Sequence, residues 1–281
     1  MWNPARLAVV FLLVGCGGDD TQPNKDGNGG TDGTDGTPAI CGDGVLYGSE
    51  HCDQGAANGD DANCLSDCTW NSVQRLVLTD QILAAAERSD LAYEGSGSWC
   101  ATGSDKFELD LEPFLWGAYD PLGEYTVADI AEVSFATNKS GGNDDFYLQA
   151  YTKSDGIDDT GSWYGYRLTA HTHLSKDLVS MDNEWNLWST DSAENQLTFY
   201  DRAFTNGGFQ GQPTLAEIVA DPELDWTAWN PEATASGVDY AGETVKRLSL
   251  QTDSGWDTFD GCLDSIAVVL VDGRALYIDL E

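Results

Sequence analysis

Basic residues are scarce in this sequence: 13 Lys and Arg stand against 48 Asp and Glu, a formal charge of −35 over 281 residues. That imbalance argues against a nucleic-acid partner, whose phosphates it would repel, and disfavours polyanionic substrates. It favours a soluble monomer and concentrates cations such as Ca²⁺ near the surface. Long apolar runs are also scarce. The single unbroken one, residues 7–14, has the length of a signal-peptide core, whereas a membrane-spanning helix needs about 20 such residues. Nor does the sequence hold a Gly-x-Ser-x-Gly elbow, a His-Glu-x-x-His pair or a glycine-rich phosphate loop, so hydrolase, metalloprotease and nucleotide chemistry lack their usual signals.

What is present begins with Arg6, the apolar run, and Leu13-Val14-Gly15-Cys16. These residues resemble the lipobox of bacterial lipoproteins. The resemblance implies a signal peptide over 1–15, cleavage before Cys16 and lipid on its thiol. Several acyl chains, each contributing about 0.8 kcal/mol per buried methylene, would make membrane attachment effectively permanent. Gly17 after the anchor suits sorting to the outer membrane, hence display on the cell surface. Residues 16–39 are almost entirely Gly, Asp, Thr, Asn and Pro, a composition that buries too little apolar surface to order itself and reads as a disordered acidic linker.

Setting Cys16 aside, six of the seven cysteines remain: Cys41, Cys52, Cys64 and Cys68 in a cluster, and Cys100 and Cys262 far apart. An even remainder in an exported protein reads as disulfides. Residues 40–70 hold few apolar side chains, so this module must be held by cross-links. Zinc is a competing reading because His51 adjoins Cys52, although Cys-x-x-Cys spacing is missing. Ca²⁺ shared by Asp43, Asp53, Asp60, Asp61 and Asp67 is another. The stretches Cys41-Gly42-Asp43-Gly44, Glu50-His51-Cys52-Asp53-Gln54-Gly55 and Asp60-Asp61-Ala62-Asn63-Cys64-Leu65-Ser66-Asp67-Cys68 resemble a cysteine-rich repeat of myxobacterial surface proteins. They depart from it at Ala62-Asn63, where that repeat usually carries Gly before the third cysteine. A bond between Cys100 and Cys262 would place the first strands of the following domain beside the last, and the chain-entropy model values it at roughly 5 kcal/mol.

Residues 73–281 read as a mainly β domain, an antiparallel β-sandwich of jelly-roll type. Stretches rich in β-branched and aromatic residues at 107–111, 132–137, 146–152, 163–172, 184–188, 197–202, 246–252, 263–271 and 275–280 alternate with Gly, Asp, Asn and Pro clusters, without a βαβ rhythm. Along 163–172, Tyr164, Tyr166, Leu168 and Ala170 should face one side, and Arg167, Thr169 and His171 the other. Thr126 with Asp129, and Thr214 with Glu217, have the spacing of capping boxes on two short helices. A third helix is expected over 81–88. Phe259-Asp260-Gly261 with Leu263-Asp264-Ser265-Ile266 resembles the closing strand of secreted lectin-like and carbohydrate-binding-module jelly rolls, which often carries Phe-x-Gly-x-x-Asp.

Ten tryptophans are many for this length. Rings beside Asp and Asn suit sugars, whose apolar face stacks while their hydroxyls find polar partners. Trp163, Tyr166, Trp188, Trp226 and Trp229 are the candidate ligand-binding residues, although tryptophan is also a common core residue. Trp185 and Trp188, an odd number of residues apart, should point to opposite faces. Asp144, Asp145, Asp155, Asp158 and Asp159 are candidates for a structural calcium, with ordinary Asp-Gly turns as the plain alternative. His171 and His173 offer a metal pair or a base, and paired surface histidines are commoner than either. The expectation is a lipid-anchored surface protein whose sandwich binds a glycan without catalysis. A secreted jelly-roll carbohydrate-active hydrolase or lyase, and an adhesive protein without a small-molecule ligand, are the alternatives.

Overall fold

Alternation of inward and outward residues becomes strand pairing in the β domain. The computed structural model describes residues 40–45, 52–60, 62–79, 86–111, 114, 122–152, 166–205, 212–233 and 238–281. The expected signal peptide, Cys16 and the 16–39 linker lie outside the described residues.

The strands are β1 (Val73–Leu78), β2 (Glu87–Ser89), β3 (Ser98–Thr102), β4 (Glu108–Asp110), β5 (Ile130–Lys139), β6 (Tyr147–Tyr151), β7 (Arg167–His171), β8 (Trp185–Ser189), β9 (Tyr200–Asp201), β10 (Arg247–Gln251), β11 (Asp260–Leu270) and β12 (Ala275–Leu280). They form two sheets. In the first, β11 is central, with β5 and then β8 on one side. On its other side β3 pairs with its first half and β12 with its second. The second sheet runs β4-β10-β6-β7-β9. Setting aside β1, β2, β9 and β12, the two sheets read β3-β11-β5-β8 and β4-β10-β6-β7, two interlocked Greek keys that make a jelly roll. Flanking strands extend this frame, and β1 runs parallel to β12.

One continuous core fills the space between the sheets. Phe107, Leu109, Phe135, Phe146, Leu148, Leu168, Leu250 and Leu263 are among its fully enclosed side chains. The inward phase of β11 is Gly261 and Leu263, then Ile266, Val268 and Leu270. An odd step from 263 to 266 would turn the second half outward. A bulge between Asp264 and Ala267 absorbs the extra residue, and Ser265 there takes a positive φ of 48°. The displaced Asp264 carboxylate is buried and accepts the backbone N–H groups of Tyr93, Glu94, Ser265 and Leu280. Gly261 is required by closeness: a Cβ there would lie 2.8 Å from the Phe259 ring. The Phe-x-Gly-x-x-Asp pattern is therefore a packing and bulge device.

Both capping boxes form. Thr126 N–H donates to Asp129 at 2.8 Å at the start of a 3₁₀ turn. Thr214 N–H donates to Glu217 at 2.8 Å, and Glu217 N–H returns a bond to Thr214 Oγ1. The latter opens helix α2 (Leu215–Ala220), which follows the single-turn helix α1 (Arg202–Thr205). The helix expected over 81–88 needs correction: Glu87 and Arg88 lie in β2, paired to Cys100 and Trp99 of β3. Residues 81–85 are outside the described set.

The six cysteines form three disulfides: Cys41–Cys68, Cys52–Cys64 and Cys100–Cys262. Zinc on the cluster is thereby excluded. Cys100 and Cys262 face each other directly across β3 and β11, the first and last strands of the jelly roll. In the small module Cys52, Cys64 and Cys68 are the only buried core residues among those described, with Cys41 and Trp70 packed on them. Its Asp53 carboxylate gathers the N–H groups of Gly42, Gly44 and Gly55, and all three glycines have positive φ. Asn63, at the departure from the repeat pattern, fastens the module to β1. Its side chain donates to Arg75 C=O and accepts from Arg75 N–H, both at 2.9 Å. Ala39–Glu281 forms one unit.

Candidate functional site

The face of the five-stranded sheet turned away from the core carries three cross-strand rows. Register sets them as Glu108, Gln251, Tyr147 and His171; then Asp110, Ser249, Gln149, Thr169 and Tyr200; then Arg247, Tyr151 and Arg167. Outward positions on an exposed sheet are usually solvated charges. Here Tyr147, Gln149, Tyr151, Thr169, Ser249 and Gln251 are buried, and Glu108, Asp110, His171, Arg247 and Trp256 form a half-buried rim above them.

The rings stack in order. Tyr147 lies 4.6 Å from His171, and His171 is parallel to Tyr200 at 5.9 Å. Trp256, from the loop after β10, meets Tyr147 edge-on at 5.8 Å. Tyr151 sits between two guanidinium groups, Arg247 at 5.2 Å and Arg167 at 5.7 Å from its centroid, an arrangement that favours both partners electrostatically. The polar groups join into one network. Tyr151 Oη donates to Gln149 Oε1 at 2.6 Å, and Gln251 Nε2 donates to Gln149 Oε1 at 3.1 Å and to Ser249 Oγ at 2.6 Å. Gln149 Nε2 donates to Thr169 Oγ1, and Tyr147 Oη to Gln251 Oε1.

Electrostatics follow from burial. The His171 ring is pushed down to about 4 by burial and by neighbouring His173, so it is a neutral imidazole at pH 7, bonded to Tyr200 Oη at 3.0 Å. Burial lifts Tyr200 to about 12 and raises Tyr147 as well. The strand carboxylates of this face are both committed: Arg247 binds Glu108 at 2.5 Å and Asp110 at 2.8 Å. A glycosidase needs one free acid and one free base on opposite sides of a sugar, and this pair is held by one guanidinium. Asp253, in the loop after β10, is a further carboxylate within electrostatic reach of Tyr147, His171 and Tyr200.

A second feature adjoins it. Lys139, Asn143, His173 and the loop before β8 enclose a polar cavity of about 300 Å³, and the His171 and His173 rings lie 5.5 Å apart.

The candidates named from sequence scatter. Trp226, named as a candidate ligand-binding ring, is fully buried against Tyr240. Trp188 is likewise in the core, its Nε1 donating to Thr137 at 2.7 Å, although its surface reaches the cavity wall. Trp185 points to the opposite side, edge-on to Tyr93. Tyr166 and Trp229 are partly buried against the core, and Trp229 lines a separate cavity beside α2. Trp163 is outside the described residues. Arg167, Thr169 and His171 do share the outward face. Of the calcium candidates, Asp145 is buried and accepts bonds from Thr137 and Phe146 N–H, and burial lifts its carboxyl to about 7. Asp144 is half-buried, and Asp155, Asp158 and Asp159 are outside the described residues. Asp43 and Asp67 each hold a local turn, and Asp60 accepts a bond from Ser66. No three His, Cys, Asp or Glu among the described residues converge on a metal-sized point.

Tyr147, Gln149, Tyr151, Tyr200, Gln251 and Trp256 were not singled out from sequence. The signal was the period-two spacing of Tyr147, Gln149 and Tyr151, matched by Arg247, Ser249 and Gln251. No family model, curated protein or solved structure matches this chain.

Proposed function

We propose that this protein is a lipid-anchored cell-surface glycan-binding protein, tethered through Cys16, whose jelly roll binds neutral carbohydrate without catalysis. The observation that carries the reading is the outward face of the five-stranded sheet, where the half-buried His171 and Trp256 rings stand at the rim of a buried, hydrogen-bonded amide floor. Such surfaces complement sugar rings, which present an apolar face and a polar edge. The chain's charge of −35 selects against polyanionic glycans. Ion pairing of Glu108 and Asp110 to Arg247 weighs against hydrolysis on this face.

The test is an array of neutral glycans probed with the full chain, with and without EGTA, beside Trp256→Ala. Binding that falls at least tenfold in the variant, without release of reducing sugar, supports the reading. Product release would replace it with a carbohydrate-active enzyme. Silence on every glycan would leave the adhesive alternative. Loss of signal in EGTA would add a calcium requirement. Palmitate labelling of wild type and Cys16→Ser tests the anchor, and equal label in both would refute it.

A further inference from the structure

The sheet face and the neighbouring cavity differ in one chemical respect. On the face, donors and acceptors are spent on one another. In the cavity they are not. Lys139 ends β5 with its side chain buried, 6 % exposed. Its ammonium has three donors: one goes to Gly142 C=O, and Asp182 Oδ1 stands 3.7 Å away. The Asp182 side chain is 53 % exposed, so a buried donor at the floor faces an acceptor at the rim. The side chains of Asn143, His173 and Ser180, also on the wall, make no hydrogen bond among the described residues. His173 is held further towards its neutral form by burial, leaving one ring nitrogen to donate and the other to accept.

The wall is rigid. Buried Asn186 accepts Met181 N–H at 2.9 Å and donates to the carbonyls of Met181 and Glu184 at 3.0 Å. Asn195 accepts Val179 N–H at 2.6 Å, and Asn183 N–H donates to Lys139 C=O at 2.7 Å. The loop carries Leu178 into the cavity as an apolar side. A wall fixed before the ligand arrives loses less entropy on binding.

Size and charge then narrow the ligand. About 300 Å³ is the lower limit of small-molecule sites, room for one sugar ring. Asp182 already balances Lys139 and His173 is neutral, so the cavity gives no net attraction to an anion. Adjacent hydroxyls fit the pair: one donates to Asp182 while its neighbour accepts from Lys139. We propose that this cavity is the subsite for a chain-terminal neutral sugar, so that the protein reads glycan ends while the sheet face supports the units behind. This inference rests on the glycan-binding reading above.

The test titrates the full chain with methyl glycopyranosides of glucose, galactose, mannose, xylose and N-acetylglucosamine, and repeats the neutral array with Asp182→Asn and Lys139→Met. The expected result is saturable binding of at least one methyl glycoside, weakened tenfold or more in Asp182→Asn at an unchanged unfolding midpoint. Trp256→Ala should lose the longer glycans. Because Lys139 is buried, its variant counts only if it unfolds at the wild-type temperature; exposed Asp182 carries the test otherwise. Array binding at wild-type strength in Asp182→Asn, or no response to any methyl glycoside, would overturn the terminal subsite and leave glycan binding standing. Array silence in wild type would overturn both.

Discussion

At the scale of single residues, buried carboxylates do more in this acidic chain than its many exposed ones. Asp264 holds four backbone N–H groups from three segments. Removing a charged acceptor leaves those donors unpaired in the interior, at a cost of about 1–3 kcal/mol each before relaxation. Asp264→Ala should lower stability by at least about 3 kcal/mol, measured by urea unfolding, with faster amide exchange at Tyr93 and Glu94. Asp145 acts through pH. Its folded carboxyl titrates at about 7, above the unfolded value, so the stability it adds is present at low pH and lost as pH rises through 7. Raising pH from about 6.5 to 8 should therefore cost roughly 1 kcal/mol. Asp145→Asn, which mimics the protonated acid, should flatten that slope in thermal scans. Below about 6.5 neutral His171 works in the opposite direction, because its charge is disfavoured by burial until about pH 4.

At the scale of elements, the strands from β4 onward were legible because each alternates or carries a dense aromatic run, and both capping boxes were legible from four residues. β1, β2 and β3 were not. Glu87-Arg88-Ser89 has no apolar period and becomes a strand only through pairing with β3, a tertiary effect that overrides local preference. The site was partly legible. Arg167, Thr169 and His171 fell on the correct face, but Tyr147, Gln149 and Tyr151 belong to a strand buried on both sides, and no solvated face marked them. Trp226 misled because its burial depends on Tyr240, distant in sequence. Asn63 shows how a departure from a pattern can carry structure: its amide occupies the free edge of β1. Asn63→Ala should loosen the cysteine-rich module, seen as faster proteolysis near residues 71–72 while the sandwich keeps its unfolding midpoint.

At the scale of the molecule, cross-links and core divide the labour. The sandwich has a continuous apolar core, whereas the module's buried residues, among those described, are its own half-cystines. Mild reduction should unfold residues 40–70 first, visible as early amide exchange there, with the sandwich following only at higher denaturant. Replacing Cys100 and Cys262 together by Ala should lower sandwich stability by about 2–5 kcal/mol in urea unfolding, because those strands remain hydrogen-bonded without the bridge. The same bridge spans a sequence separation of 162, from the first strand of the jelly roll to the start of its last. A protease that cleaves any single peptide bond within that span would leave two pieces still joined by sulfur, so a nicked molecule would migrate at full size until a reductant separates its halves.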